Sequence, residues 1–529
     1  MSAVTAGAMA GPLGIPKRAS FRDWVAVWGS VLGAFMAILD IQITNSSLKD
    51  IQGSLAASLD EGSWISTGYL VAEIIIIPLT GWLAQVFSLR LYLAVSASLF
   101  IVFSILCGMS TTLTEMILFR VGQGISGGAL IPAAFTIATI KLPPQQRPIG
   151  LILFSITATF APGFGPTIGG WLTDTYSWHY IFYINILPGV AMVAMILYGL
   201  ERQKAQLSRF WQGDWFGIVT MAVGLGALEI VLEEGQRKDW FGSPLISDCA
   251  VVAGICLTLA IITEFLRKEP FIDLRLLTQP SRLAVYLCGL SVGVGLYGSI
   301  YLIPVYLGQI QGYNALQIGE VLMWMGVPQL LVLPLVPLFM QRIDHRILVA
   351  FGFIMFAISS FMNAFMSPDT AGDQLRWSML VRALGQPFIF PPLSAAASAG
   401  LPPAKIPNSS SLFNMMRNLG GSIGIAVLAT FTTTREHFHF DAIADRITQN
   451  SGLLQERLSG MARVFSPAGG GIDTTQMQAM ASVANEVRRN AYVMAYCDCF
   501  LVIGIALLLS LIPVMFLAKP VPGSLGGGH

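Results

Sequence analysis

Apolar runs of about twenty residues, separated by short polar connections, fill most of the chain, and a helix of that length crosses a hydrocarbon core roughly 30 Å thick. The pattern predicts fourteen spans, at 24-47, 63-86, 91-110, 114-138, 149-171, 178-199, 214-233, 247-266, 282-306, 318-340, 346-366, 376-399, 408-432 and 491-517. An even number places both termini on one side. With the termini in the cytoplasm, the tails and inner connections collect most of the Lys and Arg, among them Arg90, Lys141, Arg147, Arg202, Lys204, Arg209, Arg267, Lys268 and Arg342. That is the positive-inside pattern. Arg488 and Arg489 run against it, at the end of a long outer loop where the charge rule loses force. Lys17, Arg18 and Arg22 precede the first run, which is too long for a signal-peptide core and is read as an uncleaved span.

The polar residues inside these runs carry the candidate chemistry. Asp40 lies in the outer half of the first span, and a carboxylate held in lipid costs roughly 3 kcal/mol, so it is expected to face a cavity and act there. Helical spacing puts Thr44 and Ser47 on its face. Arg120, early in the fourth span, sits at a compatible depth, and an arginine that approaches and leaves a carboxylate changes its hold on a proton. The alternative for Arg120 is snorkelling to the outer headgroups. Glu73, mid-span in the second run, has no cation near it in sequence and is read as a second proton site or as a partner for cationic substrates. Proton coupling is therefore assigned to Asp40, Glu73 and Arg120. In the thirteenth span Asn414, Arg417, Asn418 and Gly421 fall at i, i+3, i+4 and i+7, one polar stripe expected to line a substrate cavity together with Thr44 and Gln123. Arg382 is shallower and is expected to snorkel, Glu229 and Asp498 are placed near the outer interface, and Tyr297, Tyr301, Gln309, Trp324 and Gln329 offer aromatic and amide surface.

Composition narrows the class. The chain is 54% hydrophobic and 11% charged, against about 25% charged for a soluble domain, so it is a polytopic membrane protein in contact with the lipid bilayer. A net charge of +1 and the lack of a basic block exclude a nucleic-acid partner. The six cysteines are scattered through apolar runs and read as small core residues, and His437 and His439 have no further ligand nearby, so no metal site is expected. No Walker loop or other enzyme signature is present, so no cofactor is expected, and the energy source is expected to be a proton gradient.

The chain also repeats itself weakly. Arg120-Val121-Gly122-Gln123, followed by Leu142-Pro143-Pro144, matches Arg382-Ala383-Leu384-Gly385-Gln386, followed by Leu401-Pro402-Pro403. Both copies run inward, the arrangement of transporters built from two parallel six-helix halves with the site between them. The expected division is a cytoplasmic tail 1-23, a first half 24-199, an inserted helix pair with linkers 200-281, a second half 282-517 that includes an outer loop 434-490, and a tail 518-529.

Three motifs resemble the major facilitator superfamily, in its fourteen-span drug:proton antiporter branch. Arg120-Val121-Gly122-Gln123-Gly124 is similar to its arginine motif, Ala161-Pro162-Gly163-Phe164-Gly165-Pro166-Thr167-Ile168-Gly169-Gly170 to its antiporter motif, and Leu39-Asp40-Ile41-Gln42-Ile43-Thr44-Asn45 to its first-helix motif. The resemblance implies an all-α polytopic fold and export of small amphipathic compounds from the inner membrane, with a periplasmic adaptor protein and an outer-membrane channel as possible partners. Physically, Ala161, Gly165 and Gly169 form a ridge of small side chains, with Pro162 and Pro166 breaking the backbone ladder. Gly165, Pro166, Gly169 and Gly170 are thus read as a gating or packing motif. One departure stands at Gly81-Trp82-Leu83-Ala84-Gln85-Val86-Phe87-Ser88-Leu89-Arg90, where Gln85 occupies the family's acid position and Ser88 a position usually held by Gly. The outer segment, with Met477, Met480, Val483 and Val487 at helical spacing, is expected to cap the outer mouth or dock an adaptor. Two readings remain beside drug export: a dedicated exporter of a metabolite, siderophore or organic acid, and a receptor that binds without transporting.

Overall fold

The computed structural model describes residues 18–211, 213–267, 270–446, 452–465 and 472–518. The tail before Arg18, Lys268, the Gly469-Gly470-Gly471 break and the tail after Ala518 lie outside the described residues. Among those described, the regular structure is helical throughout. Eleven helical segments are long and apolar enough to cross a membrane. Helices also occupy the other expected positions: Arg147–Thr175; Gly372–Gly385, continued after a 3-10 turn by Phe390–Ser398; and Ile406–Ala444.

Local chemistry sets the helix ends. Ser20 caps Phe21–Ser46 by accepting from the Asp23 backbone N–H while Asp23 reaches back, and Thr112 and Glu115 do the same for Leu113–Gly127. Prolines open Pro244–Leu266 and Pro280–Ile310, where a missing N–H costs nothing. Ser88, at the position where glycine is usual, has φ +68° and ψ 140° and uses its hydroxyl to accept from Leu91 N–H. A side chain is strained there.

Small residues decide the closest crossings, as expected where lipid gives helices no hydrophobic reason to associate. A side chain at Gly293, Gly420 or Gly424 would run into the opposing backbone between Pro280–Ile310 and Ile406–Ala444. A Cβ at Gly165 would collide with Gln42, and one at Gly169 with Ser46 and, at 2.9 Å, with the Ile43 carbonyl. The ridge therefore seats Arg147–Thr175 directly on the Asp40 helix. On its other side Thr167 fills the space a side chain at Gly319 would need, so the same helix also meets Ala315–Val332.

In the segment 434-490, Ile406–Ala444 and Ile472–Leu509 continue unbroken past their apolar stretches, and Gly452–Phe465 packs beside the second of them. In 200-281 the two long helices are Trp215–Glu234 and Pro244–Leu266. Trp215–Glu234 packs on Pro244–Leu266, on Trp64–Phe87 and on Ile406–Ala444, and Thr67 Oγ1 donates to Glu234 Oε1 at 2.6 Å.

Candidate functional site

A cavity of about 810 Å3 opens between the helices at the end of the bundle where Asn45, Lys49 and Ser63 lie. The opposite end is sealed. There Ser410 Oγ donates to the Pro132 carbonyl at 2.9 Å, the Phe135, Phe154, Phe390 and Phe413 rings form a cluster with centroids 5.7 to 6.3 Å apart, mostly edge-on or tilted, and Gly81 lies against Pro407 and Asn408.

Behind the cavity wall, on the side of the Phe21–Ser46 helix turned away from it, Asp40 is buried to 1% exposure. Three donors converge on its carboxylate: Arg120 NH1 on Oδ2 at 2.5 Å, and Gln123 Nε2 at 3.0 Å and Asn185 Nδ2 at 2.8 Å on Oδ1. Arg120 also donates to the Gln123 amide oxygen at 2.8 Å and to the Ile65 carbonyl at 3.2 Å, and lies over the Tyr69 ring. Asn185 in turn donates to Ser104 Oγ, whose hydroxyl donates to the Phe182 carbonyl. Every member is buried, so each charge and dipole is strong and each loss would be expensive. Helical spacing supplies the geometry: Arg120 and Gln123 are three residues apart on one face.

The structure brings Asp40, Arg120 and Gln123 together, and places Arg120 in the interior rather than at the headgroups. It does not bring the expected cavity residues together. Among the described residues, Asn418 lines the cavity but Thr44, Gln123, Asn414 and Arg417 do not. Thr44 donates to the Asp40 carbonyl, since a threonine hydroxyl in a helix readily turns back one turn. Gln123 is occupied by Asp40. Asn414 donates to the Ser410 carbonyl. The guanidinium of Arg417 is held by Asn418 Oδ1 at 3.0 Å and faces Phe390, with NH1 buried and unpartnered. Arg382 does not snorkel: it is 1% exposed, stacks on Phe356 at 4.4 Å and donates to Gln386 Oε1 at 3.0 Å. No acidic side chain among the described residues pairs with it. Of the gating motif, Pro166 reaches the cavity wall and Gly165, Gly169 and Gly170 are buried.

Glu73 lines the cavity at 2% exposure with Oε1 buried and unpartnered, and Arg417 and Arg120 are the cations that act on it electrostatically. Glu229, expected at the outer interface, is buried in the cavity wall and accepts from Ser422 Oγ at 2.7 Å. Glu233, one turn on, lines the same wall, as do Tyr297, Tyr301 and Gln309. Trp324 instead faces outward beneath Arg376, and Gln329 bonds Gln386. Asp498 anchors Arg435 at 2.6 Å and His439 at 2.7 Å near the base of the projecting helices. Sequence reasoning missed Asn185, Ser104 and the wall role of Glu229 and Glu233. Lone polar residues within apolar runs were the available signal.

Residues 30–425 match the Major Facilitator Superfamily. The chain is 33% identical over 500 residues to the multidrug export protein EmrB of Escherichia coli, covering 94% of this chain and 95% of that protein. It is 31% identical to the colistin resistance protein EmrB of Acinetobacter baumannii, over 94% and 96% of the two chains. It is 30% identical to the fatty acid resistance protein FarB of Neisseria gonorrhoeae, over 97% and 99%. Among solved structures, the proton:xylose symporter XylE matches with a TM-score of 0.56 at 13% identity, covering 94% of this chain and 96% of that one. The human organic anion transporter MFSD10 matches with a TM-score of 0.56 at 12% identity, over 93% and 99%.

Proposed function

The chain belongs to the Major Facilitator Superfamily, and from that premise we propose that it is a proton-coupled exporter of amphipathic toxic compounds, working by alternating access in the inner membrane. Its termini lie in the cytoplasm and its fourteen helices divide into halves 24-199 and 282-517 with the pair in 200-281 between them. The matching Arg120–Gln123 and Arg382–Gln386 contacts support that division. With this orientation the cavity faces outward and the phenylalanine cluster closes the cytoplasmic end.

The observation that carries the reading is the separation of two sites by one helix: a cavity on one face of Phe21–Ser46 and the Asp40–Arg120 pair on the other. A proton arriving on Asp40 would neutralise the partner of Arg120 and add a fourth donor to a group already ringed by three. The network must then rearrange, and with it the helix that forms the cavity wall. The Gly165 and Gly169 seam gives the movement a place to occur, since Arg147–Thr175 touches the Asp40 helix on one side and Ala315–Val332 on the other. A ligand shifts such an equilibrium only through differential affinity for the two states, and the proton supplies it. The helices that project beyond the mouth support docking of a periplasmic adaptor, as the inner-membrane member of a tripartite pump.

The test is proton release from purified, reconstituted protein on addition of neutral lipophilic compounds, comparing wild type with Asp40→Asn. Release in the wild type, lost in the variant while the variant remains folded in the membrane, is expected. Undiminished release and efflux by the variant would remove Asp40 from the mechanism.

A further inference from the structure

The inserted helix Trp215–Glu234 brings two carboxylates into the cavity wall, and their surroundings identify what they bind. Glu229 is 2% exposed; one oxygen accepts from Ser422 Oγ at 2.7 Å and the other, Oε2, is buried with no partner. Glu233 follows on the same wall one turn nearer the mouth, and Glu73 stands across from them with Oε1 also buried and unpartnered. Glu233, Glu73 and Ser422 are the groups around Glu229, and no ion pair among the described residues includes it. Arg417, from Ile406–Ala444, acts on Glu73 but is turned toward Asn418 and Phe390 outside the wall. Glu234 accepts from Thr67 and faces Arg237 through Oε1, and its Oε2 is buried and unpartnered. Lys49 and Arg237, the basic residues of the wall, are exposed near its mouth, where Arg237 acts on Glu233 but not on Glu229. Tyr297 and Tyr301, from Pro280–Ile310, complete the lining beside the acids.

A buried carboxylate with a spare lone pair and no counter-charge is costly, and three that feel one another cannot all ionise without a cation between them. An anion beside Glu229 would meet like charge first, because the basic groups of the wall stand at its mouth and Arg417 is turned to Asn418 and Phe390. A cation would meet carboxylate oxygens and aromatic faces, a combination that favours organic ammonium or phosphonium heads.

We propose that Glu229, with Glu233 and Glu73, forms a binding site for the positively charged head of a lipophilic cation, which enters as a carboxyl proton leaves to the cavity water. This rests on the transporter reading above and names the substrate class for its cavity. The inserted pair thereby becomes part of the substrate site, with the Ser422 bond tying it to the Arg417 helix.

The test uses two probes of nearly equal shape and opposite charge, tetraphenylphosphonium and tetraphenylborate, with full-length protein in lipid nanodiscs. Tetraphenylphosphonium is expected to bind more tightly than tetraphenylborate and to release protons into weakly buffered medium. Glu229→Gln, which keeps an oxygen for Ser422, is expected to weaken the cation about tenfold or more, a scale set by loss of one close charge contact, while leaving the anion unchanged. Glu233→Gln should weaken it less, being nearer solvent. Ser422→Ala separates packing from charge: a structural role for Glu229 would make it as damaging as Glu229→Gln. Equal affinity for the two probes, or unchanged cation affinity in Glu229→Gln, would overturn the assignment. Proton-driven efflux of neutral compounds without tetraphenylphosphonium binding would sink this proposal alone, whereas cation binding without any proton-driven transport would sink the exporter reading and leave the site.

Discussion

Asp40 and Arg120 form a buried ion pair whose worth can be isolated by a double-mutant cycle. Asp40→Asn removes the charge but not the volume, and the amide cannot satisfy its neighbours. If its oxygen keeps Arg120, its NH2 faces the Gln123 and Asn185 amides that now donate to Oδ1; if it turns over, the NH2 faces the guanidinium. Either way Arg120 is left as an uncompensated charge at 1% exposure. Removing one partner of a buried pair typically costs about 3–5 kcal/mol. Arg120→Met strands Asp40 in the same way. The double variant removes both charges and leaves neutral groups, so it should be less damaged than the sum of the singles by about 2 kcal/mol or more. Denaturant unfolding of purified protein in detergent measures the three penalties, and transport in liposomes should be lost in all three. Additive penalties, or a single variant as stable as wild type, would mean that the pair contributes no net electrostatic coupling.

Four further outcomes follow from contacts described above. Gly169→Ala places a methyl 2.9 Å from the Ile43 carbonyl, so it should slow transport and cost about 1–3 kcal/mol of overpacking, read by initial efflux rate and unfolding midpoint; unchanged values for both would show that the seam is loose. Ser88→Gly should stabilise the protein, because relief of strain at φ +68°, worth about 1–3 kcal/mol, exceeds a lost cap of about 1 kcal/mol; a lower unfolding midpoint would contradict this. Cysteines at Gly81 and Asn408, in a background without the six native cysteines, should cross-link on mild oxidation and stop transport, since a Cβ at Gly81 lies 2.9 Å from Asn408 Oδ1; continued transport after complete cross-linking would exclude opening at that end. Asp498→Asn should cost no more than about 1 kcal/mol, because its Arg435 pair is part-exposed, and a loss of several kcal/mol in an unfolding titration would show that this anchor matters more than its exposure suggests.

What could be read from the chain divides along a physical line. Depth along a helix is legible, because span ends can be counted, and it matched Asp40 with Arg120 from different spans. Spacing within one helix is legible too, hence Arg120 beside Gln123. Rotation about a helix axis relative to distant helices is not, which is why Arg417 was expected in the cavity and instead turns to Phe390. Distance from the surface also failed where the surface is concave: Glu229 was counted as interfacial, but the cavity enters from that same end and the packed Ile406–Ala444 helix covers it. Arg382 was misjudged because its helix begins at Gly372, four residues before the expected span, so it lies about a turn deeper than counted, where Phe356 and Gln386 enclose it. Asn185 and Ser104 show in the sequence only as lone polar residues within apolar runs. Their meaning exists only in the distance to Asp40.

The length of Ile406–Ala444 has a mechanical consequence. Its 39 residues at about 1.5 Å each make a rod roughly 58 Å long. Near its middle it borders the cavity, through Asn418 and Ser422, and toward its far tip it runs beside Ile472–Leu509, where Arg488 faces Glu436 and Phe440. A rod pivoting about that middle behaves as a lever arm: a tilt of about 10° carries the tip by roughly 5 Å over half its length. The tip thus displays, outside the membrane, which way the interior is tilted, and a protein seated on it would sense each turnover as displacement without touching the cargo.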